Sequence, residues 1–147
     1  MREATIAGDE FRLVLRVSGY ERPTLESGAD ANWLVGEAEL EAESSGTFRA
    51  RRAVALRTEE VEAFHGELAQ LVEQLEGEAT LRHMEDEVGC TIRLRRGRGE
   101  FDGFVRSHVG PELRLSGMAT DQSFLQRAVR ELAAIAREFP VRGDPLA

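Results

Sequence analysis

Four glutamates at alternate positions, Glu37, Glu39, Glu41 and Glu43, are the residues of this 147-residue chain whose spacing first suggests chemistry. Neighbouring carboxylates can hold a divalent cation or share the acid and base roles of glycoside cleavage. On an extended strand such residues stand about 6.6–6.8 Å apart along one face. The next strand sets Arg49 and Arg51 opposite two of them. The pattern favours a solvated, arginine-paired sheet face. The other reading is an acidic docking surface, with Glu37 and Glu39 as candidate contacts.

His65, His83, His108 and the single cysteine, Cys90, are the remaining groups able to ligate a metal or act as acid, base or nucleophile. His65 lies beside the apolar stripe of a helix and is expected to be exposed. His83, His108 and Cys90 fall on strands and could converge on a metal only through the fold. The chain has no ligand pair at helical or strand spacing, no glycine-rich phosphate loop and no nucleophile elbow. The expectation is therefore a protein with no catalytic residues, no metal and no cofactor. A lone cysteine forms neither an internal disulfide nor a zinc cluster, and Cys90 reads as a small buried hydrophobe.

The segment Tyr20–Asn32 is long for a loop, and long irregular loops in compact domains are more often functional than short ones. It runs into Asp30-Ala31-Asn32-Trp33, joining two turn-forming polar residues, one of them the only Asn, to the only Trp. Two readings stand side by side. Asp30 and Asn32 can close the loop on nearby backbone while Trp33 covers a sheet edge. Alternatively the loop meets a protein partner, with Tyr20, Asp30, Asn32 and Trp33 as contacts and Trp33 as the anchor.

Composition narrows the classes further. A formal net charge of −8 argues against nucleic-acid binding, which needs a basic face to displace counterions, and permits a basic protein partner. No apolar run approaches the roughly 18–20 residues of a membrane helix, and the first residues lead into no apolar signal core. A cytoplasmic protein without membrane contact is expected.

Period-2 alternation and turn residues predict the elements that position these groups. A first pair of strands turns at Gly8-Asp9, setting Ile6 opposite Phe11 and Ala4 opposite Leu13. A third strand over Trp33–Glu43 turns at Ser44-Ser45-Gly46 into a fourth, which carries Phe48, Ala50, Val54 and Leu56 inward. That register pairs Ala42 with Phe48, Leu40 with Ala50, Glu41 with Arg49 and Glu39 with Arg51. A helix follows from an N-cap at Thr58 to a stop at Gly77, with Val61, Phe64, Leu68, Leu71 and Leu75 on one stripe.

Strands near 78–85, 90–96, 101–109 and 113–118 repeat the plan, with a Gly97-Arg98 turn pairing Leu94 with Phe101, Arg95 with Glu100 and Arg93 with Asp102. A second helix opens at Thr120, buries Phe124, Leu125, Ala128, Leu132, Ile135 and Phe139, and stops at Pro140. The expected fold is α+β: mainly antiparallel sheet of about eight strands, two amphipathic helices on one face, and a possible ββββα pseudo-repeat. Residues 1–140 form a single domain with halves at about 1–77 and 78–140, and 141–147 read as a loose tail. The Tyr20–Asn32 loop stands where the second half has only Glu85–Gly89.

Four segments carry a resemblance. Gly19-Tyr20-Glu21, Ala29-Asp30-Ala31-Asn32-Trp33-Leu34, Leu75-Glu76-Gly77-Glu78-Ala79 and Phe139-Pro140-Val141-Arg142-Gly143 together resemble the WapI family of bacterial immunity proteins. The likeness lies in layout over nearly the whole chain. It implies a cytoplasmic antitoxin that binds the C-terminal toxin of a contact-delivered WapA-type protein. The alternative is a small-ligand-binding or oligomeric structural module.

Overall fold

The computed structural model describes residues 1–146. Among these the elements run β1 (Arg2–Ala7), β2 (Phe11–Tyr20), a 3-10 turn (Ala29–Asn32), β3 (Trp33–Glu43), β4 (Thr47–Arg57), α1 (Thr58–Gln74), β5 (Gly77–Leu81), β6 (Val88–Arg95), β7 (Arg98–Arg106), β8 (Glu112–Asp121) and α2 (Gln122–Glu138). The order is ββββα twice, and the α+β class agrees with the alternation in the sequence.

The eight strands divide into two antiparallel sheets, β1-β2-β3-β4 and β5-β6-β7-β8, rather than one continuous sheet. Nor do the helices share one sheet face. They pack on each other, while α1 lies against β5 and α2 against β1. Each helix thereby covers the open edge of the first strand of a sheet. Glu67 of α1 accepts a hydrogen bond from the Thr80 amide at 3.2 Å, and Glu131 of α2 accepts one from the Thr5 amide at 2.9 Å. An uncovered edge presents unpaired amides to other chains, so these two glutamates close two of the four edges.

Alternation determines what the sheets bury. Ile6, Leu13, Leu15, Leu34, Leu40 and Leu56 of the first sheet and Leu81, Ile92, Phe101, Val105 and Leu115 of the second join the helices in one core cluster. From α1 come Val61, Phe64, Leu68 and Leu71, and from α2 Leu125, Ala128, Leu132 and Ile135. Phe11 and Phe101 bridge the two sheets, their rings stacked with centroids 4.3 Å apart.

The β3–β4 register is as expected throughout, including Ala42 opposite Phe48, Glu41 opposite Arg49 and Glu39 opposite Arg51. Two other hairpins are displaced by two residues. Ile6 pairs with Leu13 and Ala4 with Leu15, because the first turn is stretched: Gly8 donates to the Phe11 carbonyl, and Phe11 closes on Phe101. At the β6–β7 turn Ile92 pairs with Phe101 and Arg93 with Glu100, since the loop is Arg96-Gly97. Both loop residues have positive φ, 55° and 79°, the backbone of a type I′ turn in which Gly fits at no cost. A shift of two preserves side-chain parity, so the buried faces are unchanged.

Helix boundaries move slightly for identifiable reasons. The amide of Arg57, the residue before α1, donates to Glu60 Oε1 at 2.8 Å, and the Thr58 hydroxyl turns instead to Asn32. α1 ends at Leu75 in the left-handed conformation rather than at Gly77. The cap of α2 is Asp121, which accepts from the Ser123 and Phe124 amides, while Thr120 belongs to β8 and donates to the Ala7 carbonyl at 2.7 Å. Phe48, expected inside, is 51% exposed near the open edge of β4. The topological counterpart of the Tyr20–Asn32 loop is the Arg96-Gly97 turn, not Glu85–Gly89, so the asymmetry between the halves is larger than the sequence suggests.

The segment after α2 is not a loose tail. Arg142, Asp144 and Pro145 are all hydrogen-bonded to residues far back in the chain, as described below; Ala147 lies outside the described residues.

Candidate functional site

The long loop and the chain's final segment form one clasp. At its centre is Asn32, wholly buried. Its Nδ2 donates to the carbonyls of Gly28 and Arg142, both at 2.9 Å, and its Oδ1 accepts from the Arg142 amide at 2.8 Å and the Thr58 hydroxyl at 2.7 Å. Two donors and two acceptor positions are the full capacity of a carboxamide. The one Asn of the chain thus ties the loop, the start of α1 and the final segment together.

Arg142 repeats this from the other side. Its guanidinium donates to the carbonyls of Ala31 (2.6 Å), Arg22 (2.9 Å) and Pro23 (3.0 Å), and lies 3.6 Å over the Tyr20 ring. Tyr20 also donates to the Pro140 carbonyl at 2.6 Å and meets Phe139 edge-on. Burial pushes the Tyr20 phenol up, against the lowering pull of Arg142. Gly143 has φ 59°, and a Cβ there would meet Ser27 at 2.4 Å, so the closest approach of the two segments needs glycine.

Trp33 is tied to the same structure, with the Arg57 guanidinium 4.7 Å over its ring and Arg57 Nη2 on the Pro145 carbonyl at 3.0 Å. Of the four loop residues singled out in the sequence, Asn32 is inside, Tyr20 and Trp33 are half-buried under arginines, and Asp30 is exposed, 3.6 Å from Arg22. Arg57, Thr58 and Arg142 escape sequence reading because their partners are remote. The one available signal is that the resembling segments include both Asp30–Leu34 and Arg142-Gly143.

The glutamate ladder lies on the outer face of the first sheet. Glu37 meets Arg16 at 2.8 Å and Arg51 at 2.9 Å, and Glu41 meets Arg12 at 3.2 Å. Glu39, only 1% exposed, accepts from Arg16 at 3.0 Å and from Arg49 Nε at 2.7 Å. Arg12 and Arg16 of β2 are the other half of this network, and their spacing of four, which places both on one face of a strand, is visible in Arg12-Leu13-Val14-Leu15-Arg16. Hydrogen bonds from Arg51, and then Arg16, hold the Glu37 carboxyl below the usual range. Burial alone would push Glu39 up, but Arg49 and Arg16 outweigh it and hold it down as well. A glycosidase acid needs a raised pKa, so neither carboxyl is suited to protonate a leaving group at neutral pH.

This ladder sets a pH dependence. A carboxyl with a lowered folded-state pKa stabilises the fold above its unfolded pKa, and that contribution is lost as pH falls through the folded value. Glu39→Gln is expected to cost about 2 kcal/mol at pH 7, the size of hydrogen bonds to a charged group. The difference from the parent should shrink as both are unfolded by urea at successively lower pH below the usual carboxylate range. A gap that persists or widens in acid would contradict the assignment.

His83 and Cys90 line one open cleft of about 310 Å³ with Asp86, Thr91, Asp102 and Phe104. The cleft is not arranged for nucleophilic catalysis. Burial pushes the Cys90 thiol up to about 12, so it is protonated at neutral pH. Both ring nitrogens of His83 are engaged, Nε2 with the Ala55 carbonyl at 2.8 Å and Nδ1 with the Glu87 amide at 3.2 Å. His108 lies elsewhere, near Glu85 and Glu87, and His65 is half-buried rather than exposed. Arg52 pairs with Glu87 and brings a positive charge to this group, which opposes a cation there. Among the described residues, every buried side-chain N or O atom has a hydrogen-bond partner, and no helix is long and apolar enough to cross a membrane.

Three of the four segments that resemble the WapI family, around Tyr20, Asn32 and Arg142, meet in the clasp, so the resemblance follows a three-dimensional unit. A search among curated proteins finds no match to the chain. The Immunity protein WapI-like family, by contrast, matches residues 5–140, which takes in both sheets and both helices, and the chain belongs to that family.

Proposed function

We propose that this protein is a non-catalytic cytoplasmic antitoxin that binds and neutralises a contact-delivered toxin domain. The family match over residues 5–140 is the observation that carries this reading. The structure is compatible with it: a clasped loop of fixed shape, paired carboxylates and a protonated thiol suit recognition better than chemistry. A net charge of −8 would speed encounter with a basic toxin and disfavour acidic competitors.

The test is co-expression in a bacterial host of this chain with the toxin domain encoded beside its gene. Growth should be restored, and the two proteins should co-purify. Continued killing with the antitoxin present in soluble form would refute the proposal.

A further inference from the structure

The four sheet edges are treated unequally. β1 and β5 lie under helices whose Glu131 and Glu67 occupy edge amides. β4 is a sheet edge with no such cover. Its outward groups are identified by their hydrogen bonds. The Ala55 carbonyl points to His83, the Ala53 carbonyl to Arg52 Nε and the Arg57 amide to Glu60, so the odd-numbered residues turn their backbone away from β3. No register shift interrupts β3–β4, so Thr47, Arg49 and Arg51 do the same. Among the described residues the amides of Arg49, Arg51 and Ala53 have no partner.

An open cleft of about 570 Å³ runs along this edge, bounded across from it by Val105, Arg106, Ser107, Pro111, Glu112 and Leu113, the Glu112 carboxylate being taken up by Arg106 and Arg114. Half-exposed Phe48 sits beside it on the strand. We infer that the open edge of β4 takes an added β-strand from a protein partner, an extended segment with acidic side chains at alternate positions. This rests on the reading that the chain acts by binding a protein.

Charge selects that occupant. The edge sequence Thr47-Phe48-Arg49-Ala50-Arg51-Arg52-Ala53 carries three arginines and no acid. Arg49 and Arg51, although paired with Glu39 and Glu37 on the β3 side, keep more than half of their side chains exposed, while Arg52 is taken up by Glu87. A second copy pairing antiparallel here would set arginines against arginines, and like charges across a ladder are destabilising. β3 shows what β4 accepts on its other side: Glu39 opposite Arg51 and Glu41 opposite Arg49. An incoming strand would reproduce that pattern on the open side. The net negative charge steers a basic protein from a distance, whereas the edge reads local side chains.

The probe is a synthetic peptide copying residues 34–43, which carries Glu37, Glu39, Glu41 and Glu43 at the required spacing. With millimolar peptide, NMR should show the Arg49, Arg51 and Ala53 amides shifting and exchanging more slowly with solvent. A peptide with the four glutamates replaced by arginine should leave them unchanged. Ala53→Pro removes one outward donor at a position where an edge strand tolerates proline. That variant should melt as the parent does and bind the peptide about tenfold more weakly, the worth of one hydrogen bond.

Unmoved edge amides, equal response to both peptides, or shifts confined to another surface would overturn the inference. Should Ala53→Pro fail to fold, the comparison of the two peptides decides alone. If the parent protects against the toxin and a folded Ala53→Pro protects and binds it undiminished, the antitoxin reading survives and the edge is refuted. If the peptide binds at the edge but the toxin does not bind at all, the reverse holds.

Discussion

Phe101→Ala is expected to lower the unfolding free energy by about 3–5 kcal/mol, the usual loss when a buried aromatic is truncated. Phe101 is fully buried and stacks on Phe11 across the two sheets. The sheets share no strand-to-strand ladder, so their union depends on side chains meeting face to face. Removing the ring leaves a cavity at that junction and frees Phe11, whose position determines the first turn. Urea unfolding should show a lower midpoint with an unchanged slope, and the melting temperature should fall by roughly 10–15 °C. Phe101→Leu should recover more than half of the loss. A drop below about 1 kcal/mol for the alanine variant would mean that the stack does not hold the sheets together.

Asn32→Ala is expected to cost about 3 kcal/mol, because it strands several buried partners at once. The carbonyls of Gly28 and Arg142, the Arg142 amide and the Thr58 hydroxyl all lose their shared carboxamide. The damage should be local before it is global: limited proteolysis should cut within residues 21–31 while the sheets remain folded. Asn32→Asp should not rescue it, since a carboxylate cannot donate to the two carbonyls. A variant that melts within 2 °C of the parent and resists protease equally would show that Arg142 alone maintains the clasp.

The sequence is most legible where two independent patterns constrain the same pairing. In β3–β4 both the apolar face and the Glu–Arg face demand one register, and that register is observed. At the Arg96-Gly97 turn the charges are less decisive. Arg93 pairs with Glu100 in register, yet still reaches Asp102 diagonally at 3.0 Å, so a slip of two residues satisfies it almost as well. Helix periodicity gives the buried stripes of α1 and α2 but not their targets. Each helix crosses to cover an edge in the other half, a relation made by tertiary packing along the whole edge, with bonds such as Glu67 to Thr80 within it.

The clasp illustrates the limit more sharply. Asp30, Asn32 and Trp33 are conspicuous in the sequence as a turn beside an aromatic. That Asn32 closes on Arg142 cannot be read from spacing, because no periodicity links residues 110 positions apart. Burial of Asn32 and Glu39 also divides the candidate contacts. These two hold the structure, leaving Asp30, the exposed faces of Tyr20 and Trp33, and Glu37 as what the surface offers a partner.

Whether this protein works by binding a toxin is decided by calorimetric titration of the purified chain with the inactivated toxin domain encoded beside it. A one-to-one complex with a Kd on the order of nanomolar is expected. No measurable heat, or binding weaker than about 100 μM, would contradict it.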